Sequence, residues 1–353
     1  EIVQGDWSSD VCSSDLDLRV EDATISFSAD TRREDLADQP YLFAAKLAMP
    51  RWDAAPIERA IRAARLQVAA LATSPQGVLD RDLRWLQRGG DPRWHSPGAA
   101  KLARLSVAGF EQAWAPQLAA GPVEVQLFGD FNKAEALAAV SRTFGALPSR
   151  AVGDLPAVTV PIAAPGAQPV VLRHHGDANQ AAALVSWPTG GGVEGTSEGR
   201  RLEVLAQLFA NRLLDALREK AGASYAPQVQ SDWPLEIANG GTITASAQLP
   251  PDMAPRFFAA ADAIAADLAQ RPVSADELAR VTEPMRQQIN RAASSTAFFM
   301  WQLEGATRYP ARIGLVRSIM SDFTELTPAE VQALAARYLV ANKAWRLQVL
   351  PGQ

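Results

Sequence analysis

Histidines are the first residues to consider, because a hydrolase without cysteine usually needs them, and the sequence has His95, His174 and His175. A zinc peptidase helix would carry His-x-x-Glu-His or His-Glu-x-x-His, which puts two ligands on one helical face beside a glutamate. Neither motif is present. His174 and His175 are adjacent on a predicted strand and point to opposite faces, while His95 falls in a predicted loop or turn. The sequence therefore predicts no metal site in this chain.

Two other kinds of site also lack support. Gly190–Gly192 lie in WPTGGGVEG, but the lysine and hydroxyl residue that a phosphate loop needs after its glycines are missing, so we predict a flexible turn leading into a helix. No Gly-x-Ser-x-Gly elbow supports a serine nucleophile. The tryptophans are scattered rather than clustered with basic residues, which favours packing roles. We therefore expect no catalytic residue here.

One segment, LLDALREKAGASYAPQVQSDWP, combines a polar cation with an aromatic hydroxyl at a defined spacing. A long helix is predicted to end near Arg218, to break at Gly222, and to be followed by a strand starting at Tyr225. From the residues alone, Arg218 is a cation that favours its own helix C-terminus, and Tyr225 is a half-buried strand aromatic. A ligand-binding role for the pair is the alternative.

Residues 1–16, EIVQGDWSSDVCSSDL, differ from the rest of the chain. They hold the only cysteine and no lysine or arginine, they fit neither a helical nor a strand period, and they resemble no targeting signal. Read as codons, Asp6–Leu16 match a widely used sequencing adapter. We therefore expect an adapter-derived artefact, with the protein beginning near Asp17 and its upstream part missing; a natural disordered N-terminus is the alternative.

Composition limits the function of the remaining residues, 17–353. Most of the net charge of −5 comes from the acidic residues of the first segment, so the rest is nearly neutral. Charges of both signs are interleaved along predicted helices, which argues against a nucleic-acid surface. No run of about eighteen apolar residues predicts a membrane span. The length favours two domains.

The elements that must position these residues form two related units. Five prolines lie between Pro148 and Pro169 and predict a Pro-rich linker over 148–169. The sequence LSVAGFEQAWAPQLAAGPVEVQLFG (from Leu105) resembles LTPAEVQALAARYLVANKAWRLQVLPG (from Leu326), each a capped helix followed by a predicted strand. We predict an α+β fold of two homologous domains, 17–147 (partial) and 170–353 (complete), each a mostly antiparallel sheet with helices packed on one face.

The helix end at Arg218 gives the most specific resemblance. Arg218 and Tyr225 have the spacing found in the C-terminal, non-zinc half of the pitrilysin/insulinase family of zinc metallopeptidases. The stretch VEVQLFGDFNKAEALAAVSRTFGALPSR resembles the same family, and the likeness covers nearly all of residues 17–353. It implies that 17–147 is part of the parent's third domain and 170–353 its fourth.

The resemblance carries functional expectations. In this family two halves close around a chamber, and zinc is bound in the first half by His-x-x-Glu-His and a later glutamate. The resemblance implies that Arg218 and Tyr225 bind the peptide or small-protein substrate. It also implies that the missing N-terminal half is a partner that holds zinc, and that this chain supplies chamber walls. Guanidinium and phenol donors suit a peptide carbonyl. A periplasmic location is also implied.

Three functions remain open at this point. The chain is expected to be part of a zinc-dependent endopeptidase and inactive by itself. Alternatively, it is a noncatalytic peptide-binding or structural subunit that partners an active zinc peptidase; an upstream His-x-x-Glu-His helix in the same reading frame would separate the two. A plain structural domain is the third reading, and it predicts no effect of Arg218→Ala or Tyr225→Phe on peptide affinity.

Overall fold

The computed structural model describes residues 17–150, 158–221 and 227–352, so the adapter-like segment 1–16 lies outside it. Contacts divide the chain into two compact units. Of the described residues, 17–52 and 111–150 form the first unit, and 53–110, 158–221 and 227–352 form the second. Each unit is described by itself. Among the described residues, no helix is both long and apolar enough to cross a membrane.

The first unit pairs a short hairpin with helices. Its strands β1 (Asp17–Val20) and β2 (Ile25–Ser28) are antiparallel, and its helices are α1 (Asp38–Ala48), most of α5 (Val107–Ala119) and α6 (Lys133–Arg142). Asn132 begins α6, because its side-chain oxygen accepts the N–H of Ala134 at 2.8 Å. Ala44, Ala136 and Ala139 supply buried apolar surface.

A strand predicted over 122–131 in this unit is wrong. The alternating residues of PVEVQLFGDF form no strand in the structure. A strand exists only as a hydrogen-bonded partner of another, and within the described residues no strand pairs with this stretch. Val123 is exposed rather than packed. Only the helical part of the sequence repeat is therefore seen in both copies, as α5 and α12.

The second unit contains the sheet and most of the helices. Its helices before the sheet are α2 (Ala54–Leu71), α3 (Pro75–Gln87) and α4 (Ala99–Ala103). The strands are β3 (Val170–His174), β4 (Ala181–Pro188), β5 (Gln228–Asp232), β6 (Thr242–Leu249) and β7 (Trp345–Pro351). The other helices are α7 (Thr196–Ala221), α8 (Ala254–Gln270), α9 (Ala275–Ala292), α10 (Thr296–Leu303), α11 (Ala311–Thr324) and α12 (Pro328–Tyr338).

The sheet is mostly antiparallel, as predicted. Its order is β3-β7-β4-β6-β5. Among the five described strands of this sheet, β3 and β7 are the one parallel pair. The α+β class is thereby confirmed. The predicted helix start at Thr327 carries a full capping box with Glu330, with Pro328 in the first helical turn. At Ser274 the box is half formed, because the carboxylate of Glu277 binds Arg212 instead.

Helices cover the sheet on both faces. On one face, Ala183 and Val185 of β4 pack into the main core with Leu205 of α7 and Phe257 of α8. On the other face, Leu184 packs with other buried sheet residues and with Val78 and Leu79 of α3. The sequence predicted only the first layer, although a run as apolar as AAALV is typical of a strand buried on both sides.

The second layer explains how the chain divides. The sequence predicts a domain over 17–147, whereas residues 53–110 group with the C-terminal sheet because α3 packs on it. Gln87, at the end of α3, donates its side-chain N–H groups to Ser186 and Thr244 at 2.9 Å each. The assignment of 17–147 and 170–353 to third and fourth domains of a parent stays a prediction.

We expect Leu79→Ala to lower the free energy of unfolding by about 2–5 kcal/mol, because it empties the packed layer between α3 and the sheet. The matched control is Leu66→Ala on α2, where the leucine is 75% exposed and the change should stay within about 0.5 kcal/mol. Urea unfolding measures both variants. Equal effects would contradict the second helical layer.

Candidate functional site

Arg218 lies on the last turns of α7 and is exposed. The helix is held by an apolar stripe on its opposite side, where Leu213 is fully buried and Leu217 is 5% exposed in the main core. Because Leu217 is anchored next to it, the backbone at Arg218 is fixed while its guanidinium faces solvent. The predicted helix end therefore presents a cation on a rigid support.

A row of exposed polar side chains leads along α7 to Arg218. Glu203, Gln207, Asn211 and Asp215 follow one another at four-residue spacing, opposite the leucine stripe. The side-chain amide of Gln207 donates to the Asn211 oxygen at 3.2 Å. The row offers hydrogen-bond donors and acceptors. The sequence analysis did not single it out, although the same four-residue spacing could have revealed it.

The strand β5 lies beside α7 and forms the edge of the sheet. In the described part of the chain it pairs with β6 alone. Its side chains alternate, with Gln228, Gln230 and Asp232 exposed. An edge strand offers backbone N–H and C=O groups that an extended peptide can join. The exposed guanidinium of Arg218 and the edge of β5 thus belong to two packed elements.

Tyr225, the other predicted substrate-binding residue, lies outside the described residues. It falls in the segment 222–226, between the end of α7 and the start of β5. The structure therefore describes the two elements that flank Tyr225, and the pairing of Tyr225 with Arg218 stays a prediction.

The three histidines have different surroundings. His174 is fully buried; its Nε2 lies 2.8 Å from the carbonyl oxygen of Gln180, and its Nδ1 accepts the N–H of Gly176 at 3.1 Å. This network assigns the N–H proton to Nε2. His175 is exposed at the end of β3, and His95 stacks edge-on against Trp85 with ring centroids 4.6 Å apart. His174 and His95 thus have side-chain partners within the protein, and His175 faces solvent.

Zinc does not fit the described residues. Nowhere in 17–150, 158–221 and 227–352 do three or more His, Cys, Asp or Glu side chains group as a metal site would require. The two nitrogens of His174 already serve the backbone of its own loop. No step of a zinc reaction is therefore assigned to residues of this chain.

The glycine-rich turn, Gly190–Gly192, leads into α7 as predicted. It is tied to the sheet rather than loose, because the N–H of Gly241 donates to the Gly190 carbonyl at 2.8 Å. Trp233 covers it and donates its indole N–H to the Gly192 carbonyl at 2.9 Å. These hydrogen bonds bring Trp233 and neighbouring backbone so close to the turn that a side chain would not fit at Gly190 or Gly191.

Comparison with known protein families confirms the resemblance stated from the sequence. Residues 120–285 match the family model described as "Peptidase M16 inactive domain". M16 is the pitrilysin/insulinase group of peptidases. A comparison with curated proteins found no match.

Solved structures share the fold at low sequence identity. A structure of the ferredoxin protease FusC in complex with Arabidopsis ferredoxin has a TM-score of 0.77 at 17% identity, over 96% of this chain and 37% of that one. A peptidase M16 inactive domain from Pseudomonas fluorescens has a TM-score of 0.74 at 15% identity, over 96% of this chain and 82% of that one. The periplasmic protease PqqL from Escherichia coli has a TM-score of 0.71 at 14% identity, over 96% of this chain and 37% of that one. The chain thus spans little more than a third of two of these proteins.

We expect Arg218→Ala to change the free energy of unfolding by no more than about 0.5 kcal/mol, because the side chain is exposed. The matched control is Arg200→Ala on the same helix. Arg200 is 8% exposed and donates to Asp322 at 3.0 Å and to the Leu315 carbonyl at 2.7 Å. Removing it leaves Asp322 buried without its cation and should cost about 3–5 kcal/mol. A large loss for Arg218→Ala in urea unfolding would show a structural role for Arg218.

Proposed function

We propose that this chain, whose residues 120–285 match the family model of the peptidase M16 inactive domain, binds polypeptide substrates for a zinc peptidase and does not cut them itself. The observation that carries the proposal is the exposed Arg218 on the last turns of α7, beside the edge strand β5. A cation on a helix whose backbone is held by packing, next to an edge strand that pairs with β6 alone among the described residues, suits an extended peptide.

In this proposal the peptide aligns with β5, and Arg218 donates to its carbonyl or carboxylate oxygens. Tyr225, in the segment that follows α7 in the sequence, adds a phenol donor on the same ligand. The polar row of α7 forms part of the chamber wall, where amide and carboxylate groups contact the peptide without requiring one sequence. The FusC structure, which holds a ferredoxin, supports a protein as the substrate class.

Zinc and the residues that bind it belong to another part of the assembly in this proposal. When bound, zinc supplies the activated water for peptide hydrolysis. This chain orients the substrate. The ferredoxin protease and PqqL, of which this chain spans 37%, support a parent protein with a further half. PqqL is described as periplasmic, and we propose the same compartment, which fractionation of the source cells would test.

A second arrangement is a separate noncatalytic subunit that works beside an active zinc peptidase. The Pseudomonas inactive domain favours it, because this chain covers 82% of that structure. The two arrangements make the same use of Arg218. They differ in whether a His-x-x-Glu-His helix is encoded in the same reading frame, which sequencing of the source locus decides.

Binding of a fluorescein-labelled, C-terminally amidated 20-residue peptide of mixed sequence tests the peptide site. We expect Arg218→Ala to raise its Kd about tenfold, because hydrogen bonds to a charged group contribute about 1.5–3 kcal/mol. Tyr225→Phe should raise it less. The control is Arg280→Ala, an arginine 70% exposed on α9, which should bind like the wild type. Unchanged Kd values for Arg218→Ala and Tyr225→Phe would favour the plain structural domain.

The purified chain should not hydrolyse this peptide with or without added Zn²⁺, because its described residues form no zinc site. Mass spectrometry of the peptide after prolonged incubation measures this. Cleavage that a chelator abolishes, and that persists after a second purification step, would overturn the noncatalytic assignment.

A further inference from the structure

A concave site lies at the opposite end of α7 from Arg218. It is a cleft of about 460 Å³ where β4 ends and α7 begins. Its walls include Gly190, Glu198, Trp233, Arg337 and Lys343. The volume falls within the range of small-ligand sites. All of these residues belong to the second unit.

The wall of the cleft at Trp233 is preformed. A Cβ on Gly195 or Gly199 would come within 2.1 or 2.6 Å of the indole, and one on Gly190 within 2.4 Å, so the ring is in close contact with three glycines. Its N–H is already used by the Gly192 carbonyl. The indole therefore cannot turn away and presents a fixed apolar surface to the cleft.

The charges of the cleft leave a positive surplus. Glu198 accepts hydrogen bonds from the hydroxyl of Tyr338 and from Arg337, the latter at 2.9 Å. Burial, followed by the bond to Glu198, raises the pKa of Tyr338 to about 12, so the phenol stays a donor. The guanidinium of Arg337 also lies over the Tyr338 ring, 4.9 Å from its centroid. Glu198 thus balances the charge of Arg337, and the ring of the neutral Tyr338 helps to position it.

Lys343 supplies the remaining charge. It is exposed on the rim, and no carboxylate of the described residues forms an ion pair with it. Ile162 and Pro188 also line the cleft and add to the apolar surface that Trp233 supplies. A cation next to an apolar wall suits an anion that carries an apolar group.

We propose that this cleft binds the C-terminal carboxylate of a peptide, with Lys343 and Arg337 on the carboxylate and Trp233 and Ile162 against the last side chain. The choice of a peptide rests on the proposed function; the preference for a carboxylate with an apolar flank rests on the cleft alone. The site is separate from Arg218, which lies about 30 Å further along the axis of α7.

Two eight-residue peptides with fluorescein at the N-terminus and leucine at the C-terminus test the proposal by fluorescence anisotropy. One carries a free carboxylate and the other an amide. We expect the acid to bind at least tenfold more tightly than the amide. Lys343→Met should weaken the acid five- to tenfold and leave the amide unchanged. The control Arg256→Met, at an exposed cation on α8, should change neither.

The alternatives give different results. If the acid and the amide bind alike, or if the acid does not bind at millimolar protein concentration, the proposal is overturned. A third peptide, which ends in glutamate amide, carries a side-chain carboxylate but no C-terminal carboxylate. If it binds as tightly as the acid, the proposal of a C-terminal carboxylate site is also overturned. Arg218→Ala should preserve the ratio between acid and amide. If Lys343→Met abolishes the difference in affinity between acid and amide but still binds the amidated 20-residue peptide like the wild type, this cleft is distinct from the Arg218 site.

Discussion

The burial of strand β4 on both faces is the constraint on which the second unit depends. Ala181, Ala183, Val185 and Trp187 are covered by the main core, and Ala182 and Leu184 by the smaller core beneath α3. A strand without a solvent face needs small and apolar residues throughout, and the helices on both sides need matching apolar stripes. The position of α7, and hence of both candidate sites at its ends, follows from that packing.

Helix α7 carries the two candidate sites at its opposite ends, with Arg218 at one and the cleft with Glu198 at the other. Its leucine stripe and the ion pairs of Arg212 with Asp267 and Glu277 fix it to α8 and α9. Hydrogen bonds from Arg212, followed by its charge, hold the pKa of Glu277 below its usual range, so this contact weakens only when acid protonates the carboxylate. A helix held so firmly presents Arg218 near one end and Glu198 at the other on a preorganised backbone.

The sequence predicted what local pattern decides. The leucine spacing of α7, the capping residues Ser274 and Thr327 and the alternation of β6 all appear as expected. It could not predict partners that are distant in the chain. The stretch 122–131 alternates like a strand but has no described partner strand, and α3 joins a sheet whose first strand begins more than eighty residues later. The cleft could not be predicted for the same reason, since Trp233, Arg337 and Lys343 are distant in the sequence and come together only in the folded chain. The role proposed for Arg218 comes from the family resemblance, because the residue types alone favoured a cation at its own helix C-terminus.

Hydrogen–deuterium exchange of the chain, with and without a saturating amidated 20-residue peptide, tests the central claim most directly, because it reports where a polypeptide binds without any substitution. The account predicts slower exchange in the last turns of α7 and along β5, and little change in α3 or the buried strand β4. Protection confined to other elements, or no protection at saturation, would contradict a peptide-binding surface at Arg218 and the β5 edge.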